Sequence, residues 1–267
     1  MHLFFVPNLS SASILPEEES LHAVKVLRLK IGDSIQIVDG KGGFFNARIT
    51  TPHHKHCAFE ITETLVDASR RNYKLHIAIA PTKNIERLEW FIEKATEIGI
   101  DEITPVFCQN SERKVVKEER LEKIIVSAAK QSIKAKFPTL NPSCTFDQLI
   151  KSYKADQQFI AHCYTSPQPS PKERENTSPQ PSPTEREYEG RMNVSSIENS
   201  TFERKILKSE IKHGKSILIL IGPEGDFSPE EVSTAIKNGY QPVSLGESRL
   251  RTETAGVVAC CTVAFCN

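Results

Sequence analysis

The sequence of 267 residues lacks any apolar run that approaches the ~20 residues a membrane-spanning helix requires, which argues against a transmembrane protein. Its seven cysteines are never spaced as C-x-x-C, so a disulfide framework is not indicated and free thiols in a reducing compartment are expected. The first residues also lack the basic region and the small-residue cleavage site of a signal peptide. Together these absences predict a cytoplasmic protein.

An excess of charge of either sign is also absent. Lys and Arg total 34 and Asp and Glu total 34, so the net charge is zero, which argues against a strongly basic nucleic-acid binder. The charges are nevertheless unevenly distributed along the chain, because residues 113–136 carry 8 basic and 3 acidic side chains. A stretch with this excess suits contacts with phosphates, and a solvated helix end is the alternative.

Several catalytic signatures are missing. The chain has no P-loop, no G-x-G-x-x-G and no G-x-S-x-G, which argues against common nucleotide-binding motifs and against a hydrolase with a nucleophile elbow. The run His53-His54-Lys55-His56-Cys57 suggests metal binding, but no distant ligand pair matches it. We therefore expect a polar hairpin turn there and predict no metal site.

Residues 165–190 form a low-complexity insertion. TSPQPSPKERE at 165–175 is repeated as TSPQPSPTERE at 177–187, and two copies are too few for a solenoid. A proline-rich stretch without aliphatic side chains cannot form a packed element. The pattern predicts a solvated polyproline-like loop that carries no chemistry.

The rest of the chain shows two patterns of predicted secondary structure. The first 71 residues contain short β-branched or aromatic runs at 3–6, 34–38, 44–50 and 58–64, with one helix expected at 17–29, and predict a small β-barrel. In residues 72–267 strands and helices alternate, which predicts an α/β domain with a mainly parallel sheet. Strands are expected at 75–80, 103–107, 158–162, 216–221 and 242–245, and helices at 85–98, 118–133, 229–238 and 252–265.

The most informative local motif is SILILIGPEGDFSPEE at 216–231. An apolar strand runs into Gly222 and Gly225, and a helix then opens with Ser228 as N-cap and Glu231 completing a capping box. Glycines at the carboxyl end of a parallel strand let a ligand approach the backbone closely. A tight strand-to-helix turn without a ligand is the alternative.

A second glycine-bearing loop follows one helix later, in SLGESRLRTETA at 244–255. Loops from neighbouring βα units lie at the same edge of a sheet, so the two loops are expected to line one pocket. Arg249 and Arg251 flank Leu250, and one or both are candidates for binding an anionic ligand. Solvated loop charges are the alternative, more so for Arg249 than for Arg251.

Five phrases occur in a characteristic order: LHAVKVLRLKIGD (21–33), IERLEWFIEKATEIGIDEITPVFCQNSER (85–113), AAKQSIKAKFP (128–138), ILIGPEGDFSPEE (219–231) and SLGESRLRTETA (244–255). Together they resemble the bacterial 16S ribosomal RNA uridine-N3 methyltransferases of the SPOUT superfamily. The resemblance implies a PUA-like β-barrel that helps to hold RNA. It also implies an α/β domain with a trefoil knot that binds S-adenosyl-L-methionine and acts as a homodimer.

The resemblance also implies site residues. Cofactor contacts would come from Leu220, Ile221, Gly222, Pro223, Glu224, Gly225, Leu245, Gly246, Ser248, Leu250, Arg251 and Thr252. RNA contacts would come from His22, Lys25, Arg28, Arg113, Lys130, Lys134 and Lys136. The segment 80–83 is expected to border the pocket. One departure from the family pattern is Asp226, where a further glycine is usual.

The implied reaction assigns catalytic roles. Uracil N3 carries a proton that must be lost, so the charge that develops on the uracil oxygens needs stabilisation. Arg251 is the first candidate for that role, and Glu224 or Glu253 for accepting the proton. Because N3 lies on the Watson–Crick edge, the target uridine of the small-subunit RNA must be unpaired or flipped out.

Three alternatives remain open from the sequence. A SPOUT enzyme that modifies another RNA nucleotide would share the cofactor loops and differ only in its target. A non-catalytic RNA-binding protein would keep the basic stretch but would not bind S-adenosylmethionine. A nucleotide-dependent phosphotransferase is weakened by the missing P-loop.

Overall fold

Two β-sheets organise the chain. The structure, a computed structural model, describes residues 2–9, 13–65, 71–163 and 205–267. The insertion predicted at 165–190 lies outside these residues. The smaller sheet is formed by the amino-terminal residues and the larger one by the remainder.

The smaller sheet has four strands in the order β1-β2-β3-β4. They are β1 (His2–Phe5), β2 (Ser34–Val38), β3 (Phe44–Thr51) and β4 (Ala58–Leu65). The pair β1–β2 is parallel, and the other two pairs are antiparallel. Phe4, Ile35, Ile37, Ile49 and Phe59 alternate along the strands and form the core of this sheet. The predicted β-rich first region is confirmed.

The helix expected at 17–29 is only partly formed. Helix α1 (Glu17–Leu21) continues as a single π-helical turn over His22–Val26, in which Leu27 N donates to the His22 carbonyl at 3.0 Å. Arg28 then adopts a left-handed backbone with φ of 56°. The helix cannot propagate through this conformation, so it ends before the predicted position.

The larger sheet has eight strands, and each of its pairings is parallel. The order is β10-β12-β9-β11-β5-β6-β7, with β8 also paired to β6. Its strands are β5 (Lys74–Ile79), β6 (Glu102–Phe107), β7 (Thr139–Leu140), β8 (Cys144–Thr145), β9 (Gln157–Ala161), β10 (Lys205–Ile206), β11 (Ser216–Ile221) and β12 (Gln241–Ser244). The predicted α/β class with a parallel sheet is confirmed.

The helices of this region agree with the predicted periodicity. They are α2 (Ile85–Ile98), α3 (Glu118–Gln131), α4 (Phe146–Ser152), α5 (Leu207–Glu210), α6 (Pro229–Lys237) and α7 (Thr252–Cys266). The prediction missed α4 and α5 and the two-residue strands β7, β8 and β10, because elements this short carry too few residues for a periodic pattern. None of the helices within the described ranges is long and apolar enough to cross a membrane.

Local capping explains where two helices begin and end. Ser228 Oγ accepts from Glu231 N at 3.2 Å while Glu231 Oε2 accepts from Ser228 N at 2.9 Å, so the predicted capping box is present at α6. Asn84 caps α2 by accepting from Glu86 N at 3.1 Å. Gly99 ends α2 in the left-handed region with φ of 111°. These caps orient both helices at the edge of the sheet.

Helix α7 packs closely on α2 because it carries a glycine at the crossing. A Cβ placed on Gly256 would lie 2.5 Å from Phe91 Cε2 and 3.1 Å from Ile79 Cδ1. Phe91 and Ile79 are fully buried, so neither can move into solvent. Only a residue without a side chain allows this approach.

We therefore expect Gly256→Ala to lower the free energy of unfolding by about 1–3 kcal/mol, because overpacking outweighs the better helix propensity of alanine. Urea unfolding followed by circular dichroism measures this change. Phe91→Leu should restore part of the loss in the double variant, since it opens the space that the new methyl group needs. Strict additivity of the two substitutions would contradict the proposed clash.

The two sheets are joined through the segment that follows α3. Phe137 N donates to the Gly40 carbonyl at 2.9 Å, and Gly42 N donates to the Ala135 carbonyl at 3.1 Å. The rings of Phe5 and Phe137 lie 4.7 Å apart. Backbone hydrogen bonds and this half-buried aromatic pair therefore hold the small sheet against the segment that follows α3.

Candidate active site

A pocket of about 240 Å³ lies where the carboxyl ends of β9 and β11 meet the start of α7. Both strands run in parallel and end at the same edge, so their loops converge there. The lining residues are Ala161, Cys163, Ile221, Gly222, Pro223, Glu224, Asp226, Arg249, Leu250, Arg251, Thr252 and Ala255. The expectation that the two glycine-bearing loops line one pocket is confirmed.

Hydrogen bonds tie the two loops together. Thr252 Oγ1 donates to the Gly222 carbonyl at 3.0 Å, and both residues are buried. Arg249 donates from Nη2 to the Glu224 carbonyl at 3.4 Å. The start of α7 is thus held against the end of β11, and this sets the depth of the pocket.

Asp226 connects the pocket to β9. Its φ is 63°, a conformation that glycine adopts more easily, in agreement with the glycine usual at this position in the family it resembles. The carboxylate offsets this strain, since it accepts from Cys163 N at 2.7 Å and from its neighbour Phe227 N at 2.8 Å. Asp226 thus replaces the usual glycine with a residue whose carboxylate holds its own backbone conformation through these two hydrogen bonds.

Glu224 lies on the floor of the pocket beside the segment 80–83. Its Oε1 accepts from Lys83 N at 3.0 Å. Arg113 supports the same segment, donating to the Thr82 carbonyl at 3.1 Å and to the Lys83 carbonyl at 2.7 Å. The structure thus gives Arg113, which the sequence assigned to RNA, the role of bracing the loop that orients Glu224.

Within the described residues, Arg251 is a cation of the pocket that has no partner. It is exposed and stands as the N-cap residue of α7, with its carbonyl accepting from Ala255 N at 2.8 Å. Its guanidinium forms no hydrogen bond or ion pair with any residue in the described part of the chain. An unpaired guanidinium at the mouth of a pocket is available for an anionic group.

Glu253, by contrast, is not brought to the pocket. Its Oε1 lies 3.8 Å from Arg87 Nε on α2, and its Oε2 is buried without a partner among the residues described. Thr252 and Ala255 are three residues apart and share the pocket face of α7, whereas Glu253 lies about 100° further round the helix from Thr252. The predicted catalytic role of Glu253 therefore lacks the required geometry.

Of the predicted cofactor residues, seven line the pocket: Ile221, Gly222, Pro223, Glu224, Leu250, Arg251 and Thr252. Leu220 points into the core on the other face of β11, and Leu245 packs against a buried cluster. Gly225, Gly246 and Ser248 are exposed in the loops. Alternation along a strand explains why Leu220 and Ile221 face opposite sides of the sheet.

Sequence reasoning missed Ala161 and Cys163 as lining residues. Ala161 ends β9 and Cys163 follows it, and β9 pairs with β11 although the two strands are more than 50 residues apart. No local motif marks them, because their place depends on strand order. Asp226 and Ala255 also line the pocket, and so does Arg249, which the sequence had offered as a candidate for binding an anionic ligand.

The predicted RNA residues of the small sheet lie near those of α3. His22, Lys25 and Arg28 are exposed. The Phe4 ring is 6.2 Å from the His22 ring and 6.0 Å from Lys130 Nζ, so both cationic regions border one aromatic side chain. Lys130 is also paired with Glu19 at 2.5 Å, which joins the two sheets as well.

The remaining two predicted RNA residues, Lys134 and Lys136, lie in the segment that follows α3. Lys136 Nζ is 3.1 Å from Asp101 Oδ1 and the side chain is otherwise exposed. Lys134 is half-buried and has no carboxylate partner within the described residues. Both face a second cavity, at the junction of the sheets.

Comparisons with known proteins agree with this geometry. A family model described as RNA methyltransferase domain matches residues 69–184 and 184–264, and one described as RNA methyltransferase PUA domain matches residues 15–62. A crystal structure of a probable rRNA-methyltransferase from Porphyromonas gingivalis is 37% identical, with a TM-score of 0.80, and covers 100% of this chain and 99% of its own.

Two further relatives match over most of their length. Ribosomal RNA small subunit methyltransferase E of Buchnera aphidicola is 29% identical over 94% of this chain and 87% of its own length. The crystal structure of ribosomal RNA small subunit methyltransferase E from Neisseria gonorrhoeae, bound to S-adenosyl methionine, has a TM-score of 0.72 at 23% identity. It covers 98% of this chain and 95% of that one. At that identity the likeness concerns the fold.

Proposed function

Because the chain belongs to the family of RNA methyltransferase domains, we propose that it transfers a methyl group from S-adenosylmethionine to N3 of a uridine in 16S ribosomal RNA. The observation that carries this proposal is the pocket itself, which Arg251, unpaired among the described residues, lines together with Glu224. A cation and a carboxylate at one cavity are what deprotonation and alkylation of uracil require.

The pocket fits S-adenosylmethionine by its chemistry. Ile221, Pro223, Leu250 and Ala255 provide apolar surface suited to an adenine ring, and the buried Gly222 exposes backbone to it. The Asp226 and Glu224 carboxylates line the same cavity and complement the positive charges of the amino and sulfonium groups. When bound, this cofactor supplies an electrophilic methyl group that leaves with its bonding electrons remaining on sulfur.

The residues of the chain supply the acid–base chemistry. Lys83 N donates to Oε1 of Glu224, which fixes this carboxylate, and its second oxygen accepts the N3 proton of uracil. Arg251 donates to a uracil oxygen and stabilises the negative charge that deprotonation places there. Holding the deprotonated ring in line with the methyl group accounts for much of the rate.

The assembly and place of action belong to the same proposal. We infer a homodimer in the cytoplasm, built from a PUA-like region of residues 1–71 and a knotted methyltransferase region of residues 72–267. The apolar character of α7 supports the dimer, because its Phe265 is 87% exposed in the single chain. Sedimentation equilibrium of the purified protein tests this inference, and a monomer at micromolar concentration would refute it.

The proposed reaction is tested by mass spectrometry of nucleosides. Unmodified 16S RNA, as free transcript and as small subunit, is incubated with the protein and isotopically labelled S-adenosylmethionine. We expect labelled 3-methyluridine at one position. A different labelled nucleoside would support a SPOUT enzyme with another target, and RNA binding without label or cofactor affinity would indicate a non-catalytic binder.

Thr252→Val should weaken S-adenosylmethionine binding by about tenfold, because it removes the hydrogen bond that holds α7 against Gly222 and leaves a buried carbonyl unpaired. Isothermal titration calorimetry measures the dissociation constant. Thr254→Val is the matched control, since Thr254 is two residues away on α7 and does not line the pocket. Equal affinity in the two variants would contradict a positioning role for Thr252.

A further inference from the structure

A second cavity, of about 950 Å³, lies at the junction of the two sheets. Its walls come from the turn after β2, from the start of β5, from the end of α2 with the residues that lead into β6, and from the segment that follows α3. We call it the junction groove and define it by its charged lining residues, Lys41, Arg71, Lys74, Asp101, Lys134 and Lys136.

The junction groove is at the opposite end of the larger sheet from the active-site pocket. Lys74, the first residue of β5, pairs with Ser216, whereas Ile79 at the end of the same strand pairs with the pocket residue Ile221. Five residues of extended strand separate these positions by roughly 17 Å. A ligand in the groove is therefore distinct from the nucleotide that enters the pocket of the same chain.

The charge of the groove is strongly unbalanced, with five cations and one carboxylate in its lining. Asp101 is buried and already satisfied, since it accepts from Arg71 at 2.9 Å, Lys136 at 3.1 Å and Leu75 N at 3.0 Å. The other three cations, Lys41, Lys74 and Lys134, have no carboxylate partner in the stretches of chain that are described. Among the described residues, the groove thus lacks the anions that would balance its cations.

Lys134 shows this imbalance most clearly. Burial and the neighbouring Arg71 lower the pKa of its ammonium group from the usual value. Both effects disfavour the charged form, and an anion placed between the two side chains would reverse the second. A half-buried lysine beside another cation destabilises the protein when no ligand is bound. A phosphate of a ligand between Lys134 and Arg71 would remove this cost.

Aromatic rings accompany the cations. Phe44 and Phe137 line the groove and are half-buried, so part of each ring faces the cavity. Tyr73 lies beneath the Arg71 guanidinium, which is 4.9 Å from the centre of its ring. Cations for a phosphate backbone together with rings for bases are the features of grooves that bind single-stranded nucleic acid.

Ile133 at the rim adds an independent observation. It occupies the residue after the C-cap of α3 with φ of 55°, a conformation that is rare for a β-branched side chain. The pattern is a Schellman motif, since Lys134 N donates to Ala129 O at 2.8 Å and Ile133 N donates to Lys130 O at 3.2 Å. Glycine would fit without strain, yet the chain places here an isoleucine that is 64% exposed.

We propose that the junction groove binds an unpaired segment of the substrate RNA outside the methylated nucleotide, with Lys41, Lys74 and Lys134 on its phosphates and Ile133 against a base. The inference rests on the proposed function for the identity of the RNA. It explains why three cations lack partners and why an apolar side chain is held exposed in a strained conformation at the rim.

The first test measures the affinity for a labelled oligouridine of about 12 nucleotides, a length within the usual site size for single strands. The triple variant Lys41→Ala, Lys74→Ala, Lys134→Ala should bind about tenfold more weakly or worse. The slope of log affinity against log salt should fall by about 2, because three phosphate contacts are lost. The control is Lys151→Ala, Lys154→Ala, Lys237→Ala, which removes the same charge from exposed lysines outside both the groove and the basic stretch 113–136.

Each outcome decides the proposal. Weaker binding confined to the groove variant supports it, whereas equal losses in both triple variants would show a general charge effect and overturn it. Unchanged oligouridine binding in the groove variant would also overturn it. The groove variant is also tested with a short RNA duplex of the same length. If its affinity for the duplex falls as much as its affinity for oligouridine, the groove binds phosphates without regard to base pairing, and a preference for an unpaired segment is excluded.

Ile133→Gly separates contact from folding. It should leave the protein at least as stable, because the backbone strain is relieved, yet weaken oligouridine binding about fivefold, the effect of losing roughly 40 Å² of buried apolar contact. Unchanged affinity would remove Ile133 from the site. Cofactor affinity is measured by calorimetry in all variants, so a failure of the proposed methylation would be seen separately from a failure of the groove.

Discussion

Replacing Arg251 with alanine should lower the turnover of methylation by about 100- to 1,000-fold, the loss that follows removal of one preorganised donor to a developing anion. Its guanidinium lines the active-site pocket and has no partner among the described residues, so no hydrogen bond within the fold depends on it. The variant should therefore fold normally. Single-turnover assays with labelled cofactor measure the rate, and calorimetry measures the binding.

Two neighbouring substitutions make the test specific. Arg249→Ala removes a guanidinium from the same pocket, but that group already bonds to the Glu224 carbonyl at 3.4 Å, so a smaller loss is expected. Arg251→Lys keeps the charge without the planar fork and should recover only part of the rate. Near-normal turnover by Arg251→Ala would remove Arg251 from the catalytic machinery.

Stability should fall steeply in mild acid because of one buried histidine. His76 on β5 is 9% exposed, its Nε2 is 2.7 Å from Thr104 Oγ1, and its ring packs edge-on against Tyr153 at 5.1 Å. Burial lowers the pKa of His76 to about 4, against the weaker opposing effect of Glu102. The folded protein therefore holds this imidazole neutral over the range in which an unfolded chain becomes protonated.

The lowered pKa of His76 determines how the free energy of unfolding changes with pH. Above the unfolded pKa of about 6.5 neither state is protonated and stability is unaffected by this group. As the pH falls from there towards 4, only the unfolded chain binds the proton, so folding loses about 3 kcal/mol. Urea unfolding between pH of about 7 and 4 measures this loss.

Substitution of His76 tests whether this residue causes the loss of stability in acid. His76→Gln cannot titrate and should flatten the acid limb of the stability curve, at some constant cost at neutral pH from altered packing. His213→Gln, in an exposed turn, should leave the curve unchanged. An unchanged acid limb in His76→Gln would place the acid sensitivity elsewhere.

Much of the fold was predictable because its signals are local. The capping box of α6 needs only Ser228 and Glu231, three residues apart, and it formed as predicted. The α2 bounds also followed from a single apolar face closed by Gly99. The apolar periodicity of α2, α3, α6 and α7 predicted these helices correctly, while the helix expected at 17–29 formed only in part and two-residue strands such as β7 have no periodic pattern.

The active site was only partly predictable for the same reason. Loops that follow β11 and β12 were recognised from their glycines, but Cys163 reaches the pocket only through the pairing of β9 with β11. Glu253 was named with Glu224 as a proton acceptor for the reaction that the family resemblance implies. The turn of α7 directs it towards Arg87 instead, since positions two apart on a helix do not face the same side.

By itself the sequence determined the absence of common nucleotide motifs, the alternation of strands and helices, the glycine-bearing loops and the basic stretch hidden in a neutral total. These are properties of neighbouring residues, and backbone conformation and amphipathic spacing act over that range. Only the tertiary structure decided which cations remain without partners. Asp101 neutralises Lys136 and Glu19 neutralises Lys130, whereas Arg251 and Lys134 face cavities, because ion pairing depends on distances that chain order does not specify.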